Sequence, residues 1–206
     1  MKEKKDSYFT IKGASEGVFK DRGSKFFAYA YPNHCEKNLK IILEKLRNRH
    51  HAARHYCYAY RYKEDYSLYR VNDDGEPKNS AGKPILSQID TKDLTNIVIV
   101  VIRYFSGTKL GIGGLINAYK NASLIALNNA DIIEITINDI FQVNFGYPEM
   151  NLVMRKIKEL QIKILSKKLE LNAQVVFSIR KKHSQSTLDS FTGLKNIYIK
   201  QINRNK

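Results

Sequence analysis

The sequence predicts an α+β chain of two units, residues 1–136 and 137–206. Three observations predict it. A length of 206 residues is room for one or two domains. Segments of period two and of period 3.6 are interspersed along the whole chain, so strands and helices share each unit. Near Ile137 both the pattern and the charge change: Lys and Arg outnumber Asp and Glu by 22 to 15 over residues 1–136, and by 13 to 5 over 137–206.

The elements follow in order. Residues 18–31 are rich in aromatics and predict a hairpin turning at Asp21-Arg22-Gly23 and closed by Pro32. Leu39, Ile42, Leu43 and Leu46 recur at helical spacing, so Cys35–Arg49 is an amphipathic helix. Arg54 to Tyr62 alternates. Tyr56, Tyr58, Tyr60 and Tyr62 share one strand face, and His55, Cys57, Ala59 and Arg61 the other. Lys63-Glu64-Asp65 turns this strand into a second, Tyr66 to Val71. A loop, Asn72 to Pro77, leads to a short helix near Lys83 to Ile89. Asn96 to Phe105 is β-branched on both faces and predicts a central strand. The glycine-rich stretch Ser106 to Gly114 precedes a buried helix, Leu115 to Asn129.

The second unit reads as strand Phe141–Tyr147, helix Asn151–Gln161, strand Lys163–Lys167, strand Val175–Ile179, short helix Thr187–Thr192 and strand Asn196–Ile202. That succession is the ferredoxin-like order.

Composition narrows the function classes. Hydrophobic residues at 43% and charged residues at 27% describe a globular chain. The formal net charge of +15 excludes an acidic solvating segment and fits RNA, DNA or an anionic surface as partner. Lys, Ile, Asn and Tyr fill 78 positions, the bias of an AT-rich genome, so part of that charge is background. Cys35 and Cys57 are too few for a secreted disulfide framework. The N-terminal residues lead into no apolar signal segment, and the longest aliphatic run, Ile97 to Ile102, is far short of a membrane span. These features predict a reduced, cytoplasmic protein without a membrane partner.

Several motifs have chemistry to be weighed. Gly107-Thr108-Lys109-Leu110-Gly111-Ile112-Gly113-Gly114 joins a strand to a helix, where free backbone N–H groups attract phosphate. It fits no nucleotide fingerprint. Ile112 stands where a P-loop requires Gly-Lys-Ser/Thr, and Ile116 where a dinucleotide fold requires a small residue. A plain tight turn, or a backbone site for an RNA phosphate, remains. His51, His55 and Cys57 carry ligand-type atoms, but Ala52 replaces the metalloprotease Glu, and a strand at His55 breaks helical His-x3-His geometry. No metal and no cofactor is expected. Asp73, Asp74 and Glu76 crowd three carboxylates beside Gly75, in a turn whose sequel, Lys78 to Pro84, returns to positive charge. Paired carboxylates also serve as acid and base. The tyrosine stripe, flanked by Arg54, Arg61 and Lys63, has the aromatic and cationic content of a base-stacking surface. It has equally the content of a half-buried strand. Lys167-Lys168 and Arg180-Lys181-Lys182 form a second basic patch.

Three stretches together resemble the YigZ/IMPACT family: Ala53 to Tyr60; Asp73-Asp74-Gly75-Glu76-Pro77 with Ser80 to Leu86; and Val101 to Gly107 continuing through Leu110 to Leu115 and Ala118-Tyr119. Arg22-Gly23-Ser24-Lys25-Phe26 resembles the family's first strand. Residues 15–130 carry the likeness well, and 137–206 resemble more loosely the second domain of bacterial members. Ser106 stands where the family usually has glycine, and Lys120 where glycine is common.

The resemblance implies an N-terminal domain like a small-subunit ribosomal protein and elongation factor G domain IV, followed by a ferredoxin-like domain. Eukaryotic relatives regulate translation initiation, which implies an RNA- or ribosome-facing role or a protein partner in the translation apparatus. Candidate nucleic-acid contacts are Arg54, Tyr58, Arg61, Lys83, Arg103, Lys109, Lys181 and Lys182. The motif surface implied by the resemblance comprises His55, Asp73, Asp74, Gly75, Glu76, Pro77, Gly82, Pro84, Tyr104, Gly107, Gly111, Gly113 and Gly114. The alternative expectation is a small-substrate enzyme or hydrolase using the His/Asp/Glu cluster beside the glycine loop. Oligomeric state is not legible in the sequence.

Overall fold

The computed structural model describes residues 6–202. Two compact units are present: Tyr8–Ile135, and residues 136–202 together with Asp6 and Ser7.

In the first unit the strands are β1 (Ser7–Ile11), β2 (Ser15–Asp21), β3 (Ser24–Pro32), β4 (His55–Tyr62), β5 (Leu68–Asn72), β6 (Ile97–Tyr104) and β7 (Ile132–Thr136). The helices are α1 (Glu36–Arg49), α2 (Gly82–Thr91) and α3 (Gly111–Asn128). Five strands form one antiparallel sheet in the order β2-β3-β6-β4-β5, and β1 pairs with β7 separately. Arg22 (φ 44°) and Gly23 (φ 80°) both take left-handed backbone at the β2–β3 turn, as a two-residue hairpin requires. β6 is central, and Ile97 to Ile102 are fully buried. Its alternate residues serve two cores. Ile97, Ile99 and Val101 pack with Ile85 and Ile89 of α2 and Ala118, Ala122 and Ala126 of α3. Val98, Val100 and Ile102 pack with the tyrosines of β4 and with Leu39 and Leu46 of α1.

The tyrosine stripe therefore lies beneath α1. Tyr58 is 8% exposed, and Tyr60 and Tyr62 stack on each other with ring centroids 4.0 Å apart. The structure corrects Tyr58 as a base-stacking contact: an amphipathic helix covers the face where a base would lie. α3 opens at Gly111 rather than at Leu115, so Gly111, Gly113 and Gly114 belong to its first turn. The strands β1 and β7 escaped the sequence reading, because each is five residues long and flanks a longer pattern.

The second unit contains β8 (Asn138–Gly146), α4 (Met150–Glu159), β9 (Lys163–Lys168), β10 (Asn172–Arg180), α5 (Ser184–Phe191) and β11 (Ile197–Ile202). Its strands form an antiparallel sheet ordered β11-β8-β10-β9. Phe141, Val143, Phe145, Val175 and Phe177 point to one face and pack with Val153 and Ile157 of α4 and Phe191 of α5. Among the described residues, no helix is long and apolar enough to cross a membrane.

Candidate functional site: a buried clasp and the cations around it

The motif residues meet at one end of the five-stranded sheet. β4 begins there with His55, which pairs across the sheet with Arg103 at the end of β6. The Asp73–Pro77 loop folds over both. Tyr56 N–H donates to Asp74 Oδ2 (2.7 Å), and His55 Nδ1–H donates to the Asp74 carbonyl (2.9 Å). Asp73 holds the start of α2. Its Oδ1 accepts from the backbone N–H groups of Ala81 (3.0 Å) and Gly82 (2.8 Å), and its Oδ2 from that of Asn79 (2.8 Å). A carboxylate there satisfies donors that a helix start leaves open and complements its partial positive charge. Gly75 takes φ +86°, a backbone conformation that glycine adopts without penalty. At Gly82 a Cβ would stand 2.8 Å from the backbone N of Asn72, so only glycine lets α2 approach β5 this closely.

Beneath the loop, Arg103 Nη1 donates to Glu76 Oε1 (2.8 Å) and Oε2 (3.1 Å). The Tyr119 hydroxyl donates to Glu76 Oε1 (2.9 Å). The two charged side chains are 7% and 4% exposed. The guanidinium also lies over the Phe26 and Phe105 rings, at 5.6 and 5.1 Å. The Cys57 thiol donates to the Asp73 carbonyl (2.9 Å) and stands 3.3 Å from the Tyr119 hydroxyl. Burial pushes both this thiol and that hydroxyl well up, so each stays protonated and neutral.

This geometry corrects several expectations. Arg103 is no phosphate contact, because its charge is spent on Glu76 inside the protein. Arg61 keeps its side chain 13% exposed, paired with Asp90 and stacked over Tyr66. The motif is less a surface than a clasp: Gly82 and Pro84 are buried, Glu76 faces inward, and Asp73, Asp74 and His55 are half-buried and bonded to backbone. Each of the three carboxylates accepts hydrogen bonds within the chain. Among the described residues, no three His, Cys, Asp or Glu side chains gather as metal ligands.

What the clasp leaves outside is cationic. Arg54 precedes β4, Lys83 stands in the first turn of α2, and Lys109 precedes α3. All three are exposed and make no ion pair among the described residues. Gly107 and Gly111, both at positive φ, have open space where a Cβ would stand. Ser106 ties this glycine loop to the β2–β3 turn: its hydroxyl donates to the Arg22 carbonyl (2.9 Å). Lys120 is exposed on α3, and Tyr104, half-buried, points to the other face of the sheet. In the second unit Lys181 is half-buried and Lys182 exposed, in the turn before α5.

Sequence reasoning missed His50. It is buried, hydrogen-bonded through Nε2 to the Tyr29 hydroxyl (2.7 Å) and through Nδ1 to the Tyr104 hydroxyl (3.0 Å). It caps the C-terminal end of α1, and the Tyr56 hydroxyl donates to its backbone carbonyl (2.8 Å); local sequence carries no signal for these contacts.

The residues of the clasp fall inside a known pattern. A sequence profile of the Impact N-terminal domain matches residues 22–127, just over half of the chain. The chain belongs to the IMPACT family. The IMPACT family member YvyE of Bacillus subtilis is 31% identical over 192 residues, which cover 92% of this chain and 88% of that protein. An IMPACT family member of Haemophilus influenzae is 31% identical over 182 residues, 85% of each chain. The IMPACT family member YigZ of Escherichia coli is 42% identical over 82 residues, 39% of this chain and 40% of that one. Among solved structures, that of a hypothetical protein superposes with a TM-score of 0.71 at 23% identity, covering 98% of this chain and 100% of the other. That likeness concerns the fold. Within this IMPACT-family chain, the profile spans the hairpin turn, the Asp73–Pro77 loop, Arg103 and Tyr119, and so every member of the clasp.

Proposed function

We propose that this protein is a non-catalytic RNA- or ribosome-binding protein that acts on translation. The observation that carries the reading is the disposition of charge. The chain has a net charge of +15, and Arg54, Lys83, Lys109 and Lys182 project from it with no ion pair among the described residues. The motif carboxylates, by contrast, are turned into the protein. A polyanion is the complement of such a surface. Family membership supports a place in the translation apparatus, the role that the resemblance to IMPACT proteins implies.

The finer fold reading belongs here as well: a first unit like elongation factor G domain IV and a second that is ferredoxin-like. The sheet order β11-β8-β10-β9, with both helices on one face, supports the second.

Titration of a labelled RNA at low and at moderate salt tests the function. Binding that weakens by orders of magnitude between roughly 50 and 200 mM salt is expected if about six or more phosphates are contacted. The triple variant Arg54→Ala, Lys83→Ala, Lys109→Ala then flattens the salt dependence by up to about three counterions. Absence of binding at low salt removes the reading.

A further inference from the structure

The sheet of the second unit has one face without helices. Residues of one parity pack on α4 and α5, so the opposite parity projects the other way. Register places Tyr198, Asn144, Gln174 and Lys168 side by side across four strands, with Lys200, Gln142, Val176 and Ser166 in the adjoining row. Lys163 stands opposite Ser178 on the same face.

This face has a distinct chemistry. Tyr198 is 73% exposed, the only aromatic side chain at these register positions, and its ring is open to solvent. Asn144 Oδ1 accepts from Gln142 Nε2 (3.1 Å) and from Gln174 Nε2 (3.2 Å). Those bonds fix the three amides in one cluster. They leave the Asn144 NH2 group and both glutamine carbonyl oxygens without a hydrogen bond among the described residues. Donors and acceptors thus lie next to an exposed ring. No Asp or Glu occupies a register position on this face, whereas Lys163, Lys168 and Lys200 do. At the Arg180 end, the Asp6 carboxylate is held by the Arg180 guanidinium (2.6 Å).

From this juxtaposition we infer that the open face of the β8–β11 sheet is a platform for single-stranded RNA. A base stacks on Tyr198, the Asn144, Gln142 and Gln174 amides hydrogen-bond the edge of the neighbouring base, and Lys168, Lys200 and Lys163 meet the phosphates. Charge decides the occupant. A protein partner would require an extended apolar centre, and the rows around Tyr198 offer amides and lysines, with Val176 among them and the apolar Ile140–Ile202 pair farther along the face. A duplex would bury its base edges and leave Tyr198 nothing to stack on, so a single strand is the form selected. The inference rests on the RNA reading above and adds to it the strand form and the contact residues.

The chain has no Trp, so Tyr198→Trp introduces a single reporter at an exposed position. The full chain is titrated with a labelled mixed-sequence single strand and with a hairpin duplex of equal length. Expected are quenching of the indole emission of Tyr198→Trp by the single strand and a weaker effect of the duplex. Tyr198→Ala weakens single-strand binding by about tenfold, the typical effect of removing one stacking ring. The double variant Lys168→Ala, Lys200→Ala lowers the salt slope by about two. If the wild-type chain binds RNA while the indole emission is unchanged and Tyr198→Ala binds within about twofold of wild type, the platform is overturned and the functional reading stands. If the wild-type chain binds neither RNA at low salt, both fall together.

Discussion

Arg103 shows how much depends on where one charge points. In the sequence it is one cation among many near a glycine loop; in the folded protein it is buried against Glu76 at 2.8 Å. A buried pair broken on one side leaves an uncompensated charge and costs about 3–5 kcal/mol. Arg103→Met should therefore lower stability by about that much in urea unfolding, and so should Glu76→Gln, which leaves the permanently charged guanidinium buried without its counter-charge. The double variant should lie closer to wild type than the sum of the two. Arg103→Met with unchanged stability and reduced RNA binding would instead make Arg103 a contact.

His50 supplies a pH dependence with a definite sign. Burial, aided by the Arg49 charge, lowers its proton affinity below that of an ordinary histidine. The unfolded chain takes up this proton as pH falls through about 6.5, and the folded chain only at lower pH. The contribution is thus complete above about pH 6.5 and declines as pH falls toward the lowered folded value. Thermal melts between about pH 7 and 5 should show Tm falling with pH, and His50→Gln should flatten that slope. An unchanged slope in the variant would assign it to other groups.

At the scale of elements, the hairpin, α1, β4, α2 and β6 were legible because hydrophobic period and turn chemistry agree locally. The Asp21–Gly23 turn and the all-apolar Ile97–Ile102 strand are each self-announcing. The role of the Tyr56–Tyr62 stripe was not, since alternation says that two faces differ and not which partner covers each. The two short strands β1 and β7 owe their pairing to distant chain, and α3 opens at Gly111 although glycine is a poor helix former.

One small residue governs how β2 meets α3. A Cβ at Gly17 would stand 2.5 Å from the Ala126 backbone N, while Ser15 Oγ donates to the Ala126 carbonyl at 2.8 Å. Backbone cannot yield as a side chain would. Gly17→Ala should displace the strand from the helix and cost about 2 kcal/mol or more, measured by urea unfolding. A neutral effect would mean that β2, an edge strand, is free to shift.

For the whole molecule, composition gave the sign of the charge and nothing of its arrangement. The same stretches that carry the family resemblance proved to be a clasp bound to itself, joining the Asp73–Pro77 loop, β4, β6 and α3. Motif residues looked functional in the sequence because Asp, Glu, His and Arg are also the residues of catalysis and recognition. Only the fold separates carboxylates spent on backbone N–H groups from cations left outside. The open sheet face of the second unit is built from residues far apart in sequence, such as Asn144, Gln174 and Lys168, which become neighbours through strand register.

Ultraviolet crosslinking of the protein to RNA in growing cells, with the crosslinked peptides and RNA both identified, tests the account most directly. The account predicts recovery of translation-associated RNA, with adducts on peptides containing the exposed cations and Tyr198 and none on the Asp73–Pro77 loop. Recovery of RNA no greater than from an uncrosslinked control would contradict it.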